Sequence, residues 1–262
     1  MSGSCGSTSS LIDQLTALAI QPAGPVDVEF DRPFATRAGV KLKMDLFRPA
    51  ATEEPLPVVV LVHGGFYLFG ERSMMHAWAK DLAVSGYTAV AIHYRVIPEG
   101  GVYPAPIADI LAAIAHLRTH AAELKIDPER IALFGISAGG HLALLAGMAD
   151  DASVFTGDWP EGSSARVRAI VDVYGPTDFT ADPAAAAPWQ LQLVSRFLGG
   201  DLEEFPDLWR EASPVIYARA DGPAVLVIHG GSWRRGSRKQ LALHAWALAR
   251  AGMAAFAIDY RL

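Results

Sequence analysis

The chemistry in this chain centres on one serine. Ser137 stands in Gly135-Ile136-Ser137-Ala138-Gly139-Gly140, after the apolar run Ile131–Phe134 and before the small-residue stretch Ala138–Ala149. G-x-S-x-G between a strand and a helix puts the serine on a sharp, strained turn, so that its hydroxyl stands clear of the backbone. A Cβ at Gly135 or Gly139 would strike the neighbouring chain. The first N–H groups of the helix lie beside the hydroxyl and favour developing negative charge. A second word, His63-Gly64-Gly65-Phe66-Tyr67, follows the β-branched run Pro57–Val62. Its paired glycines free backbone N–H groups to converge. The N–H groups of Gly64, Gly65 and Ala138 are the expected oxyanion hole, and losing one such donor typically costs about 3 kcal/mol in the barrier. Ser137 is the candidate nucleophile. His63 reads as a hydrogen-bonding strut for the loop.

These words must be held by a sheet. Val26–Phe30 and Val40–Phe47 read as a strand pair about a turn at Ala38–Gly39. Pro57–Val62, Thr88–His93, Ile131–Phe134, Ala169–Tyr174, Ala224–Ile228 and Ala254–Ile258 read as buried strands. Helices are expected at Leu11–Ile20, Met74–Ser85, Pro106–Ala122, Ala138–Ala149 and Gln240–Arg250. Strands alternating with helices of this length make a mostly parallel sheet with helices on both faces, with chemistry at the C-terminal strand ends.

Taken together, the two words resemble the α/β-hydrolase superfamily and, within it, the esterase and lipase group with an HGG loop (hormone-sensitive-lipase-like and acetylxylan/feruloyl-type members). The resemblance runs through Tyr94-Arg95, Tyr103-Pro104 with Asp109, Asp127–Ile131, Gly135–His141, Tyr174–Asp178, Phe197–Gly200 and Ala212–Pro214. It covers roughly residues 26 to 230. It implies the α/β-hydrolase fold and ester hydrolysis through a seryl acyl-enzyme on small, short-acyl esters. It also implies a lid over 176–222, to which Trp189, Leu193, Phe197 and Trp209 would contribute.

The pattern then breaks. The resemblance puts an acid two to three residues beyond Gly230, where the chain has Gly231, Ser232 and Trp233. It puts the base histidine after the last strand, and no histidine follows Asp259. What stands there is a repeat. Residues 223–262 align with 57–96 without gaps at an offset of 166, and sixteen of forty positions are identical. The matches include His63/His229, Gly64/Gly230, Gly65/Gly231, Arg72/Arg238, Gly86/Gly252, Ile92/Ile258 and Tyr94/Tyr260. The repeated unit is expected to close the sheet. His229, His93 and Asp178 are weak candidates for the missing base or acid. His141 lies one turn beyond Ser137 and reads as structural, while His76, His116, His120 and His244 fall on expected helices. Without a base, Ser137 is a weak nucleophile. The competing readings are a catalytically impaired pseudo-hydrolase or binding module on the same fold, and an arylformamidase-type amide hydrolase, suggested by HGGSW at 229–233.

The remaining expectations come from composition. One domain over 1–262 is expected, with a tail and short helix over 1–25. Lys plus Arg is 22 and Asp plus Glu is 28, giving a net charge of −6. That balance argues against nucleic-acid binding and against docking on anionic membranes. The Ser/Gly-rich start lacks a basic segment and an apolar block, so it does not read as a secretory signal. A single cysteine, Cys5, excludes an internal disulfide framework and fits a reducing, cytoplasmic setting. No metal or organic cofactor is implied. The expected partner is a small-molecule ester, without membrane insertion, and a homodimer is kept open. Arg234, Arg235, Arg238 and Lys239 read as a solvated basic face.

Overall fold

A computed structural model describes residues 24–50, 52, 54–148, 155, 164–181, 187–231, 237–241, 245 and 248–259. The expected helix at Leu11–Ile20, Cys5, Arg234, Arg235 and His244 lie outside the described residues, as does part of Gln240–Arg250.

Eight strands form one sheet in the order β1-β2-β4-β3-β5-β6-β7-β8. They are β1 Val26–Arg37, β2 Val40–Pro49, β3 Leu56–Val62, β4 Thr88–Ile92, β5 Ile126–Ile136, β6 Ala169–Val173, β7 Ala224–Ile228 and β8 Ala255–Ile258. The β1–β2 and β2–β4 pairs are antiparallel. Every pair from β4 to β8 is parallel. The helices are α1 His76–Val84, α2 Ala105–Thr119, α3 Ala121–Leu124, α4 Ala138–Met148, α5 Pro188–Leu198 and α6 Pro206–Glu211. This is the α/β-hydrolase fold that the resemblance implied.

Several boundaries differ from the sequence reading, each for a local reason. β1 runs on to Arg37 because its pairing with β2 continues past register shifts at Glu29/Arg32 and Pro33/Ala35. An edge strand tolerates Pro33 at such an irregularity. β5 begins at Ile126, where Ile126 pairs with Leu56 before a shift that spans Pro128. The helix expected at Pro106–Ala122 is divided at His120, which leaves α-helical geometry at φ −103° and ψ 18°. The segment before α1 is a tight 3₁₀ turn, Arg72–Met75.

The parallel connections place the layers. β3 to β4 steps one way across the sheet, and β5 to β8 steps the other way. Right-handed crossovers therefore put α1 on one face and α2 and α4 on the opposite face. Alternation along the strands matches this. Val58, Val60 and Val62 pack with Ile110 and Leu142, whereas Val59 and Leu61 pack with Ala79 and Ala83 of α1. The loop after β4 is tied to α2 by a buried ion pair. Arg95 Nε and an Arg95 terminal nitrogen each donate to the Asp109 carboxylate at 2.8 Å, and the Arg95 backbone N–H joins them at 2.9 Å. Removing one partner of such a pair leaves a buried charge without compensation.

Candidate active site

Ser137 sits at the C-terminal end of β5 with φ +56°. That left-handed conformation is costly for a residue with a Cβ and persists only where the surroundings fix it. Two contacts do so. The Ser137 N–H donates to the Val173 carbonyl at 2.9 Å, locking the turn to β6. The Ser137 carbonyl accepts from the N–H groups of Gly140 at 2.9 Å and His141 at 3.2 Å, which starts α4. A Cβ on Gly139 would collide with the carbonyls of Val62 and His63, so β3 and the start of α4 touch backbone to backbone.

The glycine loop lies directly against this turn. A Cβ on Gly64 would stand 2.9 Å from the Ile136 carbonyl oxygen and 3.3 Å from Ser137 Cβ. Gly65 adopts φ +131°, where a side chain would also strike the Phe69 carbonyl. His63 holds the loop from below. It is fully buried, its Nδ1–H donates to the Gly64 carbonyl at 2.8 Å, and its ring stacks on Tyr94 at 4.2 Å. The Tyr94 hydroxyl donates to the His63 carbonyl at 2.8 Å. Burial pushes the His63 pKa down to about 4, so the imidazole is neutral. This is the strut read from the sequence.

Ser137 and Ala138 line a cavity of about 400 Å³. Phe66, Phe179, Trp189, Leu193, Val194 and Trp209 give it apolar walls, and Tyr174 and Asp178 also line it. α5 supplies Trp189, Leu193 and Val194. Trp189 is more than half exposed and meets Phe66 edge-on at 5.9 Å, at the mouth. Phe197 does not line the cavity. It is fully buried and stacks on Tyr67 at 4.0 Å, supporting the wall from behind.

The structure divides the base and acid candidates. Asp178 shares the cavity with Ser137, and its Oδ1 accepts from the Thr180 N–H at 2.8 Å and the Thr180 hydroxyl at 2.7 Å. That bond pair makes Asp178 the cap of the following turn. His229 directly follows β7, is buried, and its Nδ1–H donates to the Gly230 carbonyl at 2.8 Å. Its Nε2 lies 3.8 Å from Asp259 Oδ1. His93 pairs with Glu99 at 3.1 Å and faces a separate, charge-lined cavity with Asp31, Lys43 and Arg72. His141 donates from Nε2 to the Ala212 carbonyl at 2.8 Å, and burial lowers its pKa to about 4. Neither His229 nor His93 is among the residues lining the Ser137 cavity.

One residue near the site was not singled out from the sequence. Asp172, on β6, is fully buried and its Oδ1 accepts the Gly175 N–H at 2.8 Å. A Cβ on Gly140 would collide with it, so it packs against the start of α4. Burial pushes its pKa up to about 8 although the Gly175 bond works the other way. An acid inside an otherwise apolar strand was the available signal. Among the described residues no group of three or more His, Cys, Asp or Glu is arranged to hold a metal, and no helix is long and apolar enough to cross a membrane.

The strand order, the strained serine turn and the glycine loop against it are those of an α/β-hydrolase of the HGG esterase group. Residues 44–230 match the BD-FAE family, and the chain belongs to that family. It is similar to "Esterase LipC" of Mycobacterium tuberculosis (strain ATCC 25618 / H37Rv), 33% identical over 179 residues, which are 68% of this chain and 44% of that protein. It is also similar to "Probable carboxylic ester hydrolase LipM" of the same strain, 35% identical over 180 residues, 66% of this chain and 40% of that protein. The chain thus spans under half the length of these relatives. A solved esterase, Est2 of Thermogutta terrifontis, shares the fold with a TM-score of 0.71 at 24% identity, covering 91% of this chain and 82% of that one. The family match ends at Gly230, in the His-Gly word of the repeat that began at Pro223.

Proposed function

We propose that the chain is a serine carboxylic-ester hydrolase acting on small, short-acyl esters through an acyl-enzyme at Ser137. The observation that carries this reading is Ser137 at φ +56°, on the wall of the cavity, with the Gly64 backbone packed against it. Relatives named esterase and carboxylic ester hydrolase support it. In this reading the Ser137 Oγ attacks the ester carbonyl. The N–H groups of Gly64, Gly65 and Ala138 receive the oxyanion, and the apolar wall takes the acyl chain. The substrate is the proposed partner, and no cofactor takes part. Residues 176–222 are proposed as the lid, since Trp189, Leu193, Val194 and Trp209 come from that segment. A cytoplasmic setting is part of the same proposal and rests on the single cysteine.

One observation favours the impaired reading beside it: no imidazole lines the cavity among the described residues. The arylformamide reading has less support, because the HGGSW word follows β7 while the loop beside Ser137 reads HGGFY. The test is hydrolysis of p-nitrophenyl acetate by the purified chain beside Ser137→Ala. Release that the substitution abolishes, with the melting temperature unchanged, supports the proposal. Release that is equal in both proteins refutes it.

A further inference from the structure

The described imidazoles are already committed elsewhere. His63, His141 and His229 are buried and donate to backbone carbonyls of Gly64, Ala212 and Gly230. His76 pairs with Asp45 at 2.8 Å and His93 with Glu99. His116 of α2 and His120, just beyond its end, stack on each other at 4.0 Å beside a different cavity. The eighth, His244, lies outside the described residues. The glycine loop nevertheless packs against the strained serine turn.

We infer that the Ser137 site is a stoichiometric acyl acceptor: it takes an acyl group from activated esters and holds it as a persistent seryl ester. The inference rests on the proposed function and assigns its substrate class. Acylation and deacylation make different demands on a base. With an aryl, enol or thiol ester, the leaving group departs as a stable anion and needs no protonation. The Ser137 Oγ–acyl bond forms, the bond from the acyl carbon to the leaving group breaks, and the Ser137 hydroxyl proton passes to solvent or to the departing anion. With an alkyl ester the departing alkoxide needs a proton donor. Deacylation needs a base to take a proton from water while Ser137 Oγ leaves and is reprotonated. A preorganised oxyanion site alone retains roughly 10³–10⁴-fold acceleration over water, which suits the first step with a good leaving group and little else.

The chemistry also predicts rescue. Free imidazole that enters the cavity of about 400 Å³ would take the proton from the attacking water and return it to Ser137 Oγ, completing the cycle. Asp178 is the carboxylate that could forestall this need, and its Oδ1 is already held by both donors of Thr180.

The experiment uses the full chain with p-nitrophenyl butyrate and, separately, ethyl butyrate. Product release and intact mass are followed with and without added imidazole. The expected result is a burst of about one p-nitrophenol per chain, a butyryl mass increment on the Ser137 peptide, and a slow phase that imidazole accelerates at least about tenfold. Ethyl butyrate should give no adduct and Ser137→Ala no burst. Steady turnover of both esters without an accumulating adduct would overturn the inference and leave the proposed function standing. No Ser137-dependent release from either ester would overturn both readings.

Discussion

Residues 57–96 and 223–262 are two copies of one sequence unit, and the described residues of the second fold like their counterparts in the first. His63 donates to the Gly64 carbonyl at 2.8 Å, and His229 to the Gly230 carbonyl at 2.8 Å. Gly65 and Gly231 have φ +131° and +143°. The 3₁₀ turns Arg72–Met75 and Arg238–Leu241 are 166 residues apart, the offset of the alignment. Before the second strand of each copy, Tyr87 N–H bonds the Leu82 carbonyl and Met253 N–H bonds the Leu248 carbonyl, both at 3.1 Å. Even the parallel register repeats: Val59↔Ala89 in the first copy is Val225↔Ala255 in the second. What differs is place. The first copy steps toward β2, and its glycine loop meets the Ser137 turn. The second steps toward the far edge, where a Cβ on Gly230 would stand 3.2 Å from Tyr174 Cβ. A right-handed crossover that advances in the opposite direction must lie on the opposite face. The faces of the strands are exchanged accordingly: Val59 and Leu61 pack toward α1, while their counterparts Val225 and Val227 join the cluster on the other side. Local sequence thus sets local geometry, and position in the sheet decides what that geometry serves.

An identical residue at equivalent positions gives the sharpest test. Ile92 is fully buried, and its counterpart Ile258 is 39% exposed on the edge strand β8. Ile92→Ala should cost about 2–5 kcal/mol, the range for a fully buried isoleucine. Ile258→Ala should cost under about 1 kcal/mol, because much of that side chain already meets water. Urea unfolding of the two variants measures both. Equal losses would mean that β8 is covered in solution.

The glycine loops give the next contrast. Gly64→Ala forces its new methyl toward the Ile136 carbonyl, a backbone atom that cannot rotate away. It should reduce Ser137-dependent release from p-nitrophenyl acetate by about 10²-fold or more, comparable to loss of an oxyanion donor. Gly230→Ala meets only Cβ and Cγ of Tyr174, at 3.2 and 3.6 Å, and should leave that release within about threefold. A large loss in Gly230→Ala would give the second loop a part in the site.

This contrast also shows what the sequence could carry. The serine turn, the glycine loop and β7 at Ala224–Ile228 were legible because strained turns and buried parallel strands need particular residues in particular order. The repeat was legible as identities in register. The exposure of Phe256 and Ile258 on β8 was not, since an apolar run looks the same whether one face is covered or both. Asp172 escaped because its importance lies in contacts with Gly140 and Gly175, which the fold brings to it. The destinations of His141 and His229 likewise depend on carbonyls that only the folded chain presents.

The smallest predicted effect concerns pH and separates the buried groups around the first loop. His63 and His141 titrate near pH 4 in the fold against about 6.5 when unfolded. The unfolded chain takes up their protons first, so stability falls as pH drops from 6.5 to 4. His116, half-buried on α2 and also lowered to about 4, adds a smaller share in the same direction. Asp172 has the opposite sign. Its neutral form is favoured in the fold up to about pH 8, while the unfolded carboxyl ionises near 4, so stability falls as pH rises between them. Above pH 6.5 the histidine contributions are complete and Asp172 alone of these groups is still changing. The expected loss from pH 6.5 to 8 is about 2 kcal/mol, at ~1.4 kcal/mol per unit. Asp172→Asn keeps an acceptor for Gly175 and should flatten this alkaline limb and, by removing the contribution that opposes the histidines below pH 6.5, steepen the acid limb. Urea midpoints at pH 4.5, 6.5 and 8 for both proteins decide it. A flat alkaline limb in the unsubstituted chain would mean that Asp172 is ionised when folded. The first N–H groups of α4 would then be stabilising a carboxylate behind Ser137, with the same positive end that the proposed oxyanion needs in front.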